Sequence, residues 1–93
     1  MDDKRLEQEI EKVRRFVKAY CKKSGYKLNP DKEMVECVIR GLAMNRIMHG
    51  FQYCPCRILE NDKQKDQPKI CPCKWHKEEI ERDGTCQCRL FVK

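Results

Sequence analysis

Three C-x-C pairs, Cys54-Pro55-Cys56, Cys71-Pro72-Cys73 and Cys86-Gln87-Cys88, lie within 40 residues and hold six of the eight cysteines of the chain. In an extended Cys-Pro-Cys segment the two Cα atoms lie roughly 6.5–7 Å apart, at or beyond the upper limit for a disulfide. Proline's fixed φ also restricts adjustment. We therefore expect the two cysteines of a pair to be held apart, each facing a different partner.

The composition predicts that such a site also stabilises the fold. Of 93 residues, 39% are charged and 8% aromatic, so the apolar core must be thin. Domains of this size usually need a disulfide or a metal as a staple. We expect a single domain over residues 1–93, in which residues 3–49 form a helical support and residues 50–93 form the site.

The compartment decides which kind of staple is expected. Residues 1–6 contain no apolar run resembling a signal sequence, and nearby acidic residues are atypical of a transit peptide. No window approaches the length of a transmembrane helix. We expect a cytoplasmic protein without a membrane partner, in which dense cysteine favours metal binding or catalysis over structural disulfides.

Charge indicates a mildly basic, solvated surface. The net charge is +6, from 21 basic and 15 acidic residues, without a block of five or six like charges. Such a surface attracts acidic partners, which include proteins and nucleic acids. Because arginine is not clustered with interleaved aromatic residues, we do not expect a nucleic-acid partner.

Apolar periodicity predicts two N-terminal helices. The first covers residues 3–24, and its apolar stripe is Leu6, Ile10, Val13, Phe16, Val17 and Tyr20. The second begins at Asn29-Pro30-Asp31, with the asparagine as N-cap, and ends at His49-Gly50. Its stripe is Met34, Val35, Val38, Ile39, Leu42 and Ile47. Cys21 and Cys37 are predicted to be packed free thiols.

The remaining chain predicts little regular structure. Residues 60–68 have loop composition, Trp75–Arg82 suits a short amphipathic helix with Trp75 and Ile80 facing inward, and Asp83-Gly84 is a turn signal. Leu90-Phe91-Val92 is expected to lie against the core. The expected fold is mainly α, with two helices packed on a loop and short-helix region that wraps around a metal cluster, and with negligible strand.

Two metal hypotheses differ in the use that they leave for spare thiols. Structural zinc takes four ligands, typically with C-x₂₋₄-C spacing. A [4Fe–4S] cluster also takes four thiolates but accepts varied spacings. Either metal leaves two of the six paired cysteines over. Beside a redox-active cluster two spare thiols suit a dithiol/disulfide couple, whereas beside zinc they have no electron supply. Spacing alone leaves 15 ways of choosing four ligands from these six cysteines.

Two alternative functions are also compatible with these residues. One is a non-enzymatic zinc-binding module that binds partners through its basic surface. The other is a plain electron-transfer or structural iron–sulfur protein in which the spare cysteines are incidental.

The order of the motifs carries a family resemblance. The pattern CPC…CPC…C-x-C, which ends in Cys86-Gln87-Cys88-Arg89-Leu90-Phe91, resembles the catalytic (beta) chain of ferredoxin–thioredoxin reductase. The likeness extends to Lys23-Ser24-Gly25-Tyr26, Gly41-Leu42-Ala43 and Tyr53-Cys54-Pro55-Cys56-Arg57, and so covers about residues 16–92.

The resemblance implies an oxidoreductase that uses electrons from reduced ferredoxin to reduce the disulfide of a thioredoxin or similar protein. It implies that a [4Fe–4S] cluster is held by Cys54, Cys71, Cys73 and Cys86. It also implies that Cys56 and Cys88 form the active disulfide. In the family's mechanism the more exposed thiol, here Cys56, attacks the target and forms a mixed disulfide. Cys88 is held against a cluster iron until a second electron arrives, and then resolves the mixed disulfide.

This sequence departs from the family pattern at two points. The loops between the pairs differ in length, which costs little entropy. Gln87 occupies the place of a histidine, and its amide can donate a hydrogen bond but cannot titrate. His76 is the candidate replacement proton donor, since imidazole titrates near neutrality; the alternative is a partly exposed histidine on a short helix. The photosynthetic members of the family pair this chain with a second subunit.

Overall fold

The first helix forms the long axis of the support. The computed structural model describes residues 3–93, in which α1 spans Asp3–Ser24 as the periodicity predicted. Its buried residues are Leu6, Val13 and Val17. Gly25 follows at φ 85°, a conformation that favours glycine, and its N–H donates to the Cys21 carbonyl over 3.0 Å.

The second helix begins later than predicted. α2 spans Lys32–His49, and the N-cap is Asp31, whose carboxylate accepts from the Met34 N–H at 3.2 Å. The prediction of Asn29 as N-cap is wrong. The Asn29 side chain instead accepts from the Asp31 N–H at 2.9 Å, an Asx turn that leads into the cap. The predicted end at His49-Gly50 is confirmed, with Gly50 at φ 85°.

The two helices pack on each other through their apolar faces. Most of the predicted α2 stripe is buried, although Met34 and Ile47 are only partly so; the buried residues are Val35, Val38, Ile39, Leu42 and Ala43. Ion pairs join the helices at Arg14–Glu36 (2.6 Å) and Arg46–Glu9 (2.9 Å). Partly exposed pairs contribute little, so apolar burial holds the two helices together.

The last residues close the fold against this support. β1 (Lys27–Leu28) pairs antiparallel with β2 (Phe91–Val92), Leu28 opposite Phe91. Leu90 and Phe91 are each 1% exposed, which confirms that the apolar terminus packs on the core. Within residues 3–93, strand is therefore confined to these two short segments.

The segment predicted as an irregular loop contains helix. α3 spans Lys63–Asp66 and runs into a 3-10 turn at Gln67–Lys69. The loop prediction was wrong because polar contacts, rather than apolar periodicity, stabilise this segment. Asp62 caps α3 by accepting from the backbone N–H groups of Gln64 (2.9 Å) and Lys65 (3.3 Å).

The predicted amphipathic helix is confirmed with its start one residue later. α4 spans His76–Asp83, Ile80 on it is fully buried, and Gly84 ends it at φ 79°. Trp75 is only half-buried. The mainly α fold is thus confirmed, and over residues 3–93 the structure contains no helix with the length and apolar character needed to cross a membrane.

Candidate functional site

Five of the six paired cysteines surround one pocket between α2 and the C-terminal segments. The pocket is otherwise lined mainly by apolar side chains such as Val38, Leu42, Leu90 and Phe91. The cysteines that line it are all buried: Cys54, Cys71, Cys73, Cys86 and Cys88. The sixth, Cys56, is exposed. The fold therefore divides the thiols into a buried group and one that solvent reaches.

The first and third pairs are built in the same way. In each pair the following arginine donates its backbone N–H to the carbonyl of the first cysteine: Arg57 to Cys54 at 3.1 Å, and Arg89 to Cys86 at 2.9 Å. Each pair is therefore folded into a tight turn rather than extended. In the first pair the turn leaves Cys54 buried and Cys56 exposed.

The helical support contacts the first pair at Gly41, which has no side chain. A Cβ added to Gly41 on α2 would lie 2.7 Å from Cγ of Pro55, too close for two carbons. Glycine at this position lets the Cys54-Pro55-Cys56 turn lie against the helix. The Cys54 N–H also donates to the Lys69 carbonyl at 2.8 Å, which ties the turn to the segment after α3.

Gln52 and His76 hold the middle pair. The Gln52 carbonyl accepts from the Cys71 N–H at 2.9 Å, and the Gln52 side-chain amide donates to the Cys71 carbonyl at 2.8 Å. His76 Nδ1 is hydrogen-bonded to the Cys73 carbonyl. The peptide bond between Cys71 and Pro72 is cis.

Glu79 and the C-terminal strand hold the third pair. The Cys86 N–H donates to the Phe91 carbonyl at 3.1 Å, and the Gln87 N–H donates to Oε1 of Glu79 at 3.2 Å. The Gln87 side-chain amide donates to the Cys56 carbonyl at 3.2 Å. Gln87 therefore links the third pair directly to the exposed cysteine of the first.

One disulfide is present among the described cysteines, and it joins Cys54 to Cys88, whose Cα atoms are 7.1 Å apart. It joins cysteines of two different pairs. It differs from the Cys56–Cys88 pairing that the family resemblance implied. The difference follows from the turn at Pro55, which leaves Cys56 exposed while Cys54 and Cys88 both line the pocket.

Burial raises the pKa values of two thiols of the site, Cys71 and Cys56. Burial, and then the neighbouring Cys86 and Cys73, raise the pKa of the Cys71 thiol far above its ordinary value. The pKa of Cys56 is also raised, by desolvation of the sulfur and by Cys86, although Arg57 and Arg89 oppose the shift. Buried thiols at this density therefore need a compensating positive charge to become thiolates.

Comparison with known proteins places this arrangement in a family. The family model described as ferredoxin thioredoxin reductase catalytic beta chain matches residues 3–93. The chain belongs to this family. The resemblance seen in the sequence is thereby confirmed, and the family name describes an oxidoreductase that acts on disulfides.

Individual catalytic chains of ferredoxin-thioredoxin reductase are similar over most of this chain. That of Pyropia yezoensis is 32% identical, over 91% of this chain and 72% of its own length. That of Porphyra purpurea is 33% identical, over 89% and 69%. The chloroplastic chain of Arabidopsis thaliana is 34% identical, over 92% and 58%.

The donor set is of the type that an iron–sulfur cluster requires. The cysteines around the pocket provide thiol ligands, which iron–sulfur clusters use. Nε of Arg57 is, within the described residues, a buried donor without a hydrogen-bond partner, and Nη2 of the same side chain lies 3.5 Å from the Cys73 sulfur. Within residues 3–93, no three His, Cys, Asp or Glu side chains are grouped closely enough to bind a single ion.

His76 is buried, so the alternative of a partly exposed histidine is wrong. Since a carbonyl only accepts, Nδ1 carries the hydrogen donated to Cys73, and Nε2 is hydrogen-bonded to the Tyr20 hydroxyl. Burial, with Tyr26 and Cys71 nearby, raises the pKa of Tyr20, which keeps it a donor. Both ring nitrogens are thus engaged, and the role of His76 as a proton donor stays a prediction.

The two cysteines outside the pairs differ in exposure. Cys21 is half-buried against the core, as predicted. Cys37 is exposed, so its prediction as a core thiol was wrong. Cys37 lies between Val35 and Val38 in sequence, but at 100° per residue it falls outside the buried arc of α2.

Sequence reasoning missed two charged residues that join the three pairs. Arg57 contacts the Cys73 sulfur and forms an ion pair with Glu79 at 2.8 Å. Glu79 also accepts from the Gln87 N–H. The position of Arg57 directly after Cys56 was a usable signal. Glu79 offered none, because one turn of an amphipathic helix does not reveal which loop will lie beside it.

Proposed function

We propose that this chain is an iron–sulfur disulfide reductase that uses electrons from reduced ferredoxin to reduce the disulfide of a thioredoxin or similar protein. The observation that carries the proposal is the division of the thiols. Five line one buried pocket, whereas Cys56 is exposed and connected to that pocket through Gln87. Of the six paired cysteines, a protein substrate can reach only Cys56 without unfolding the site.

The proposed ligands of a [4Fe–4S] cluster are four of the buried cysteines: Cys54, Cys71, Cys73 and Cys86. All four are buried, and burial with the neighbouring Cys86 and Cys73 disfavours a free thiolate at Cys71. Bound iron would supply the positive charge that makes thiolates stable there. When bound, such a cluster supplies electrons one at a time. Cys54 can bind iron only as a free thiolate, so its bond to Cys88 and iron binding exclude each other.

Cys56 and Cys88 are the proposed reactive couple. The Cys56 thiolate attacks one sulfur of the target disulfide, and the other target sulfur leaves as a thiolate. Cys88 then attacks the Cys56 sulfur, which releases the second target thiolate and leaves a Cys56–Cys88 disulfide. Two electrons and two protons from the donor side restore both thiols. The bond between Cys54 and Cys88 supports a cluster-side position for Cys88, because it shares the pocket with a proposed ligand.

Two matched variants test the proposal. Cys56→Ser should retain the visible absorption and iron content of the anaerobically purified protein and lose ferredoxin-driven thioredoxin reduction. Cys37→Ser, which removes the exposed thiol of α2, should retain both. Full activity of Cys56→Ser would show that the nucleophile is another residue, and iron without any disulfide reduction in the unaltered protein would favour the plain electron-transfer reading.

The same preparation tests the zinc alternative. A colourless protein with stoichiometric zinc would contradict the reductase and favour the interaction module. A cytoplasmic location is part of the proposal and is tested by fractionation of the source cells. Purification of the untagged chain from its source under anaerobic conditions tests for a second subunit.

A further inference from the structure

An ion pair next to the Cys73 sulfur is not used by the chemistry proposed above. The Arg57 guanidinium donates from Nη2 to Oε2 of Glu79 at 2.8 Å and lies 3.5 Å from the Cys73 sulfur. Its Cζ lies 4.8 Å from the centre of a Trp75 ring, which covers the pair on one side. Both side chains are mostly buried, with exposed fractions of 17% for Arg57 and 12% for Glu79.

The pair touches all three C-x-C segments. Arg57 follows the first pair directly and contacts the sulfur of the second. Glu79 accepts from the backbone N–H of Gln87, in the middle of the third. A guanidinium does not lose its proton in proteins, so Arg57 is a cation at this position.

We propose that Arg57 and Glu79 are a positioning pair with opposed electrostatic effects, in which Arg57 raises and Glu79 lowers the reduction potential of a cluster bound through Cys73. This inference rests on the proposed cluster. Reduction adds one negative charge, and a buried cation that donates to a ligand sulfur stabilises the reduced state. A buried carboxylate beside that cation destabilises the reduced state, because its negative charge repels the charge that reduction adds. Both effects are felt at the cluster because charges out of water are weakly screened.

Three variants give the pair a distinctive signature. Arg57→Gln removes the positive charge and should lower the reduction potential. Glu79→Gln removes the negative charge but keeps an acceptor for the Gln87 N–H, and should raise it. Each shift should approach tenfold in the one-electron reduction constant, which equals 59 mV. Arg57→Lys keeps the charge with a different geometry and should shift the potential less than Arg57→Gln.

Arg82→Gln is the matched control. Arg82 lies on α4, as Glu79 does, and it pairs with the carboxylate of Asp83, but its side chain is 64% exposed. The charge change equals that of Arg57→Gln, whereas solvent screens the charge. Its reduction potential should match that of the unaltered protein.

The measurement is a redox titration followed by visible absorption and EPR, with iron and sulfide content determined for each variant. Opposite shifts at Arg57 and Glu79 support the inference. Shifts of the same sign, or none larger than that of Arg82→Gln, overturn it. If Arg57→Gln does not assemble a cluster, Arg57→Lys takes its place in the comparison. The inference is then also overturned if Arg57→Lys shifts the reduction potential in the same direction as Glu79→Gln, or by a larger amount. A protein that binds a cluster without reducing disulfides would refute the proposed function and still permit this test.

Discussion

Gly41 lies directly against Pro55: a Cβ on the glycine would stand 2.7 Å from Cγ and 3.1 Å from Cβ of the proline ring. A helical glycine is thus the contact through which α2 supports the first C-x-C pair. Intrinsic propensity and packing make opposite demands here, because alanine is favoured over glycine within a helix by about 1 kcal/mol.

Gly41→Ala should therefore destabilise the protein even though it improves helix propensity. Overpacking costs about 1–3 kcal/mol, which exceeds the propensity gain over most of that range. Because the proline ring is flanked by Cys54 and Cys56, the displacement should also reduce iron content. Urea denaturation and iron analysis measure the two effects.

A second substitution isolates the contact. Pro55→Ala removes Cγ, so the double variant should recover most of the stability lost in Gly41→Ala. The two substitutions should show a coupling free energy of at least about 0.5 kcal/mol. A Gly41→Ala variant as stable as the unaltered protein would contradict the contact.

Asp66 should make the loop before the middle pair sensitive to acid. Its carboxylate accepts from the Glu60 N–H at 2.9 Å and from Lys69 Nζ at 2.9 Å. These hydrogen bonds lower the pKa of Asp66 below its ordinary value of 3.8, and the bond from Glu60 has the largest effect. The folded state therefore binds the proton more weakly than the unfolded state, and the stabilisation is present above pH 3.8 and lost as the pH falls through the lower, folded pKa.

Thermal denaturation at several pH values measures this effect. Asp66→Asn should be less stable than the unaltered protein at neutral pH, and the difference should shrink below pH 3.8. Asp83→Asn is the control, since the Asp83 side chain is 52% exposed and its pairing with Arg82 contributes little. A difference that grows on acidification would refute the role of Asp66.

His76 should respond differently to two substitutions. Asparagine can keep a donor toward the Cys73 carbonyl, whereas leucine leaves that carbonyl and the Tyr20 hydroxyl without the ring. We expect His76→Asn to lose about 1 kcal/mol of stability and His76→Leu about 2–3 kcal/mol. Denaturation of both variants measures the difference, and equal losses would contradict the bond to Cys73.

The pH profile of turnover in His76→Asn tests the predicted proton donor. Asparagine does not titrate, so an unchanged profile would remove His76 from the proton chemistry. Tyr20→Phe is the control, because it removes the partner of Nε2 and keeps the imidazole.

Local signals predicted the helical part of this fold. α1 has a clear apolar stripe and a terminal glycine, and its end at Ser24 was predicted correctly. The start of α2 was misplaced because Asn29 and Asp31 are both good caps, and only the chain entering from β1 selects the second. α3 was missed because it depends on Asp66 accepting from residues outside the helix.

The site was only partly predictable for a related reason. The spacing of the cysteines and their order indicated a thiol site and its family. Which thiols meet depends on the turns at Cys54 and Cys86 and on the contact with Gly41, which bring together residues far apart in sequence. The exposure of Cys37 depends on its angular position around the axis of α2, which the valines on either side of it in the sequence do not determine.

The pairing of β2 with β1 has a consequence for biosynthesis. β2 follows all three cysteine pairs, and its Phe91 carbonyl accepts from the Cys86 N–H. A ribosome therefore makes every cysteine of the pocket before the residues that seat the last pair. α1 and α2 can fold while translation continues, but the pocket closes only after Phe91 has left the exit tunnel. Delivery of the proposed cluster to the closed pocket would then follow translation of the pocket.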